Sequence, residues 1–136
     1  MLEGLKGIHC CGNTDWSLVL ETGIDILSFD AYKYGSAVGV YAQNMAKLVQ
    51  NGGAIAWGIV PNSEEEMASE TLASLQDRLE ELMLQLSKIG EIPFNKIVSA
   101  SLITPSCSLT PLSEEGAEQA LALLTRLSAN MQKKHL

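Results

Sequence analysis

Basic residues are scarce in this chain. Nine Lys and Arg stand against sixteen Asp and Glu, a formal net charge of −7 over 136 residues. Affinity for nucleic acid or an anionic membrane surface rests on clustered Lys and Arg, so neither is expected as a partner. The only basic cluster, Lys133-Lys134 beside His135, reads as a solvated helix end. No apolar run approaches the ~18 residues of a membrane span. Met1-Leu2-Glu3-Gly4 lacks the basic start and long apolar core of a signal peptide, which makes the cytoplasm the expected location. Three cysteines without an export signal argue against a disulfide framework and for reduced thiols, used in packing or metal binding. A phosphate-cradling loop is also missing, because Gly52-Gly53 precedes a strand, whereas such a loop needs Gly-Lys-Ser/Thr opening a helix.

What is present is a strict alternation of short apolar runs and helical stretches. Residues 4–11 read as a strand, followed by a helix over about 14–22 that Thr14 or Asn13 could cap. Residues 24–30 form a second strand, launched from Gly23. A helix follows over 36–51, with Val40, Ala46 or Met45, and Leu48 or Val49 as its apolar stripe. Residues 54–60 are apolar on both faces, as in a strand buried on both sides. Pro61 and the capping-box pair Ser63 and Glu66 open the longest helix, expected to run to Lys88 on a stripe of Leu72, Leu75, Leu79, Leu82 and Leu86. Gly90 and Pro93 end it; residues 96–104 read as the fourth strand, and a last helix starts near Ser113. The pattern β-α-β-α-β-α-β-α calls for an α/β fold with parallel strands and helical crossovers in one domain, residues 1–136. Four such units are half of a (β/α)₈ barrel of ~250 residues.

The chemistry-bearing residues gather at the strand ends. Residues two apart on a strand share a face, so His9 and Cys11 point one way and Cys10 the other. If the shared face is a barrel interior, His9 and Cys11 clamp a metal while Cys10 packs against the outer helices. Asp30 ends the second strand and Cys107, in Thr104-Pro105-Ser106-Cys107, follows the fourth. His9, Cys11, Asp30 and Cys107 therefore reach the rim where barrel chemistry sits, and an imidazole with thiolates suits Zn²⁺. Asp30 could equally cap the following helix. Trp57 is open to two roles, pocket wall or core, and Tyr32 and Tyr34 to two others, ligand contact or exposed loop.

The segments Ile8-His9-Cys10-Cys11-Gly12-Asn13, Ile26-Leu27-Ser28-Phe29-Asp30, Ala56-Trp57-Gly58-Ile59-Val60-Pro61 and Thr104-Pro105-Ser106-Cys107 resemble, in order, the catalytic barrel of cobalamin-independent methionine synthase. The likeness is closest to the short single-barrel relatives, within the superfamily that includes uroporphyrinogen decarboxylase. It spans nearly the whole chain but corresponds to the last four barrel strands. The resemblance implies a zinc site of His9, Cys11 and Cys107 with Asp30 at the acidic position, where the family has Glu. It also implies Ser108 in place of the family's Gly. The implied activity is S-methylation of a small thiol, homocysteine in the family, from a methylated folate or methyl-corrinoid donor. Two alternatives are a non-catalytic zinc-thiolate module and an inactive remnant of such an enzyme. Half a barrel would leave two open edges, so a partner is expected: a second copy giving a homodimer, or a separate complementary N-terminal half.

Overall fold

The computed structural model describes residues 3–12 and 15–136. Its centre is a four-stranded parallel sheet in chain order, formed by β1 (Gly7–Cys10), β2 (Ile26–Phe29), β3 (Ala54–Val60) and β4 (Ser101–Pro105). The helices are α1 (Trp16–Leu20), α2 (Ala37–Gln50), α3 (Glu64–Ala68), α4 (Leu72–Gly90), α5 (Phe94–Ser99) and α6 (Glu114–His135). Parallel neighbours in sequence order need a crossover between each pair, and the helical segments supply it.

Strand register divides the sheet into two faces. The pairs His9↔Ser28, Ser28↔Ala56 and Ala56↔Leu102 put these four residues on one face. Cys10, Phe29, Trp57 and Ile103 align on the other, which the helices cover. Here Trp57 packs against Phe29 and Phe29 against Trp16, with ring centroids 5.5 and 5.0 Å apart. On α4, Leu75, Leu79, Met83 and Leu86 are buried at spacings of three and four. Each such side chain contributes roughly 1.5–3 kcal/mol on leaving water. The other face carries mostly small side chains and the polar cluster described below.

Several sequence expectations change. The helix expected over 61–88 is two helices, because Thr71 and Ser74 form a capping box that starts α4 afresh after α3 ends at Ala68. The longest described helix is α6 rather than α4. Residues 96–99, expected as strand, belong to α5, and β4 starts only at Ser101. Pro93 sets its N-cap, and the buried Ile97 and Val98 satisfy helical packing as readily as a strand. Val40, assigned to the apolar stripe of α2, is 73% exposed, and Val38 is the buried residue of that turn, ahead of the non-helical backbone at Tyr41. Caps at Asn13 or Thr14 fall outside the described residues; Asp15 caps α1, accepting from Ser17 N–H. No described helix is long and apolar enough to cross a membrane.

Candidate metal centre

His9 sits near the end of β1, Cys11 directly follows that strand, and Cys107 lies two residues beyond β4. One ring nitrogen of His9 and the Sγ atoms of Cys11 and Cys107 lie within 4.8 Å of one another. β1 and β4 are the outermost strands of the sheet. In a flat sheet they would be roughly 14 Å apart, at about 4.8 Å per strand. Concave curvature and inward-pointing side chains close that gap, and the cluster occupies the hollow.

Each ligand is held by its own local structure. His9 Nδ1 is 2.8 Å from Ser28 Oγ, the residue opposite it on β2. That contact leaves Nε2 free to coordinate. The approach of Cys107 depends on Gly58. A Cβ at Gly58 would come within 2.5 Å of the Phe29 carbonyl, 2.9 Å of Ser106 Cα and 3.0 Å of the Pro105 carbonyl. The register shifts between Gly58 and Val60, and Ser106 N–H donates to the Val60 carbonyl at 2.7 Å. On the far side, Asn62 Nδ2 donates to the Ser108 carbonyl at 2.8 Å. Cys107 is thus fixed from both neighbours. Glu91 is the only non-glycine residue with positive φ among the described residues, so Ser108 has no need of a glycine's conformational freedom.

The donor set fits a metal ion. Tetrahedral zinc, with Zn–S near 2.3 Å and Zn–N near 2.0 Å, places its ligand atoms about 3.6–3.8 Å apart. A contraction of about 1 Å from the observed spacing would reach that geometry. His9, Ser28, Thr104, Pro105, Cys107 and Ser108 line a cleft of about 400 Å³ beside the cluster. Thr104 Oγ1, on its wall, is buried and has no hydrogen-bond partner, a group that a bound polar ligand could satisfy.

Cys10 points the other way and packs against the core, as the strand alternation predicts. Burial, with Cys11 next to it, pushes its thiol pKa up, which disfavours the thiolate a metal needs. Asp30 is outside the cluster. It is 4% exposed, and its carboxylate accepts from Lys33 N–H at 2.8 Å, closing the turn after β2. Burial raises its pKa against the lowering effect of the Lys33 bond and charge.

Tyr32 is half-buried on the following loop, where its hydroxyl donates to Glu70 Oε1 at 3.3 Å and Arg78 stacks 4.9 Å from its ring. Glu70 and Arg78 are paired at 2.8 Å, so Tyr32 ties the loop to the start of α4. Burial and the neighbouring Glu70 raise the Tyr32 pKa. Of the two roles open to Trp57, pocket wall with a substrate contact or core, the structure gives it the core. It is 0% exposed on the helix-covered face, and its Nε1–H donates to Ser101 Oγ at 2.9 Å. Sequence reasoning missed Ser28, which touches His9 across the strand pair, and Thr104 as a cleft residue. Their two-residue offsets from Asp30 and Ser106 carried no signal until the register was known.

Comparison of the chain with protein-family models, curated proteins and solved structures found no match.

Proposed function

We propose that this chain is the metal-bearing half of a (β/α)₈ barrel and that His9, Cys11 and Cys107 hold zinc to activate a thiol for S-methylation. The observation that carries the reading is the convergence of three soft ligand atoms within 4.8 Å, from the C-terminal ends of two outer strands. Parallel strands in chain order with helices on one face support the barrel half. The sequence resemblance to cobalamin-independent methionine synthases supports the chemistry.

Zinc bound here would lower the pKa of a thiol ligand and keep its sulfur nucleophilic at neutral pH. The chain's own residues set the conditions for that. As metal ligands, Cys11 and Cys107 would contribute two thiolate charges, which would keep the site electron-rich. Ser28 orients the His9 ring, and a zinc ion held by three protein ligands would have room for the substrate thiol as well. Thr104 offers an unpartnered hydroxyl at the cleft wall. In the reaction the thiol sulfur forms a bond to the donor's methyl carbon as the donor–methyl bond breaks and its electron pair stays with the donor. A folate donor takes up a proton at the nitrogen that held the methyl, in exchange for the one lost from the thiol; with a corrinoid donor the thiol proton leaves to solvent. The acceptor is a homocysteine-like thiol, and the donor a methylated folate or corrinoid bound with the help of a partner half.

A second reading has one observation in its favour. His9 and Cys11 are exposed, as suits a zinc-thiolate module that captures thiols or passes on metal without methyl transfer. Zinc content measured by mass spectrometry on protein purified without chelators tests the site. The parent and Cys10→Ser should carry stoichiometric zinc, and Cys107→Ser should lose most of it. Equal loss from both variants would refute the ligand assignment. Thiol methylation assays on the assembled protein separate the enzyme from the module.

A further inference from the structure

We propose that Cys11 and Cys107 are a redox pair: mild oxidation joins their sulfurs in an intramolecular disulfide that ties the end of β1 to the loop after β4 and shuts out the metal. As a pair of thiols the inference needs only the geometry; as a control on the site it rests on the metal reading above.

All three cysteines are free thiols, Cys11 exposed and Cys10 and Cys107 half-buried. Cys11 and Cys107 stand 96 positions apart in the chain, yet their sulfurs lie within 4.8 Å. A disulfide needs about 2.05 Å between sulfurs, so the gap to close is about 2.8 Å at most, shared between two side chains. The freedom for that movement is on the Cys11 side. Cys11 lies just past the last paired residue of β1, Cys10, and a Cβ added to Gly12 after it would meet nothing within 4 Å. Cys107 is the anchored member. Its neighbours are held by the Ser106 N–H bond to the Val60 carbonyl and the Asn62 bond to the Ser108 carbonyl. An exposed, movable thiol thus faces a sheltered, fixed one, an arrangement in which the first is oxidised and the second resolves it.

The third cysteine does not compete. Cys10 leaves β1 on the opposite face and packs against the core, which turns its sulfur away from the pair. The bond and the metal exclude each other, since both need the same two sulfurs. Once these are joined, His9 is the one ligand left in the cluster among the described residues, too few to hold zinc.

The oxidant is hydrogen peroxide. The Cys11 sulfur attacks one peroxide oxygen, the O–O bond breaks, and Cys11 becomes a sulfenic acid as the first water leaves. The Cys107 sulfur then attacks the Cys11 sulfur. The S–S bond forms, the S–O bond breaks, and the hydroxyl departs with the Cys107 proton as the second water. Two thiols and one peroxide give one disulfide and two waters, and the two electrons lost by sulfur are gained by the peroxide oxygens. A small dithiol reverses the bond by exchange.

The test treats the full chain, metal-free and after incubation with zinc, with limiting hydrogen peroxide. Thiol titration, intact mass, non-reducing peptide mapping and zinc content are read on the same samples. The metal-free parent should fall from three titratable thiols to one, within a single chain. It should lose about 2 Da, yield a linked Cys11–Cys107 peptide, and regain all its thiols with dithiothreitol. Cys10→Ser should form the same bond, whereas Cys11→Ser and Cys107→Ser should form none. Zinc-loaded protein should react more slowly and release one zinc for each bond formed. A link that includes Cys10, a bond between chains, or overoxidation of Cys11 without a link overturns the proposal, as do equal rates in zinc-loaded and metal-free protein. Zinc uptake with no link would remove the redox pair and leave the metal reading standing; a link in a chain that takes up no zinc would do the reverse.

Discussion

Replacing Ser28 with Ala isolates the support of the proposed metal centre from the ligands proposed for it. Ser28 Oγ lies 2.8 Å from His9 Nδ1, and His9 and Ser28 are direct partners in the strand register. With Nε2 on a metal, Nδ1 carries the ring hydrogen and donates to Ser28. Removing such a support typically weakens metal binding 10–100-fold, about 1.4–2.8 kcal/mol. The fold should lose little, because His9 is exposed and can turn to water, so the metal-free protein should be destabilised by about 1 kcal/mol or less. Competition against a chromophoric zinc chelator at neutral pH reads the affinity, and urea denaturation of the metal-free protein reads the stability. Ser28→Thr, which keeps the hydroxyl, should recover much of the binding. Cys107→Ser, which removes a ligand outright, should cost more than Ser28→Ala. An affinity unchanged by Ser28→Ala, or a loss equal to that of Cys107→Ser, would refute the argument that Ser28 acts through His9.

Three other perturbations test the surroundings. Burial raises the Asp30 carboxyl in the folded chain, so the stability of its protonated form is complete below the ordinary Asp value of about 3.9 and is lost as pH rises through the raised one. Asp30→Asn keeps an acceptor for Lys33 N–H and removes the buried charge; it should be more stable than the parent at pH 7 in urea titrations, with the difference shrinking toward pH 4 and zinc content unchanged. Loss of zinc from this variant would instead make Asp30 a ligand. Gly58→Ala forces a Cβ against the Phe29 carbonyl and the Pro105-Ser106 backbone, so it should destabilise by about 1–3 kcal/mol or more and weaken zinc binding by displacing Cys107; parent-like behaviour in both denaturation and zinc titration would contradict it. Thr71→Ala removes the capping box that restarts the chain as α4 and should cost about 0.5–2 kcal/mol. An unaltered thermal midpoint would show that the helix start is fixed elsewhere.

Much of the architecture was legible because it rests on local patterns. The continuous apolar run of Ala54–Val60 is the buried strand β3, and Ser36 and Ser113 stand at the helix starts expected near them. The break between α3 and α4 was hidden, since Ser69, Glu70 and Thr71 are acceptable within a helix and only the reciprocal Thr71–Ser74 bonds show the restart. The segment 96–99 misled for a related reason: a short buried apolar run suits a strand and a helix equally, and Pro93 decided the matter by opening α5.

The candidate site divides in the same way. Period-two alternation on one strand sufficed to set His9 and Cys11 against Cys10, because the direction of a strand side chain is a local property. Residue type and position marked both Cys107 and Asp30 as candidates, Asp30 with a helix cap as its alternative; Cys107 joins the cluster while Asp30 closes its own turn. That choice depended on the curvature of a four-stranded sheet, on the close backbone approach at Gly58 and on the register that sets Ser28 beside His9. These are distances between segments far apart in the chain. The sequence therefore determined which side chains could serve a metal and which way they leave their strands; only the tertiary structure decided which of them meet, because meeting depends on how the strands pack and curve together.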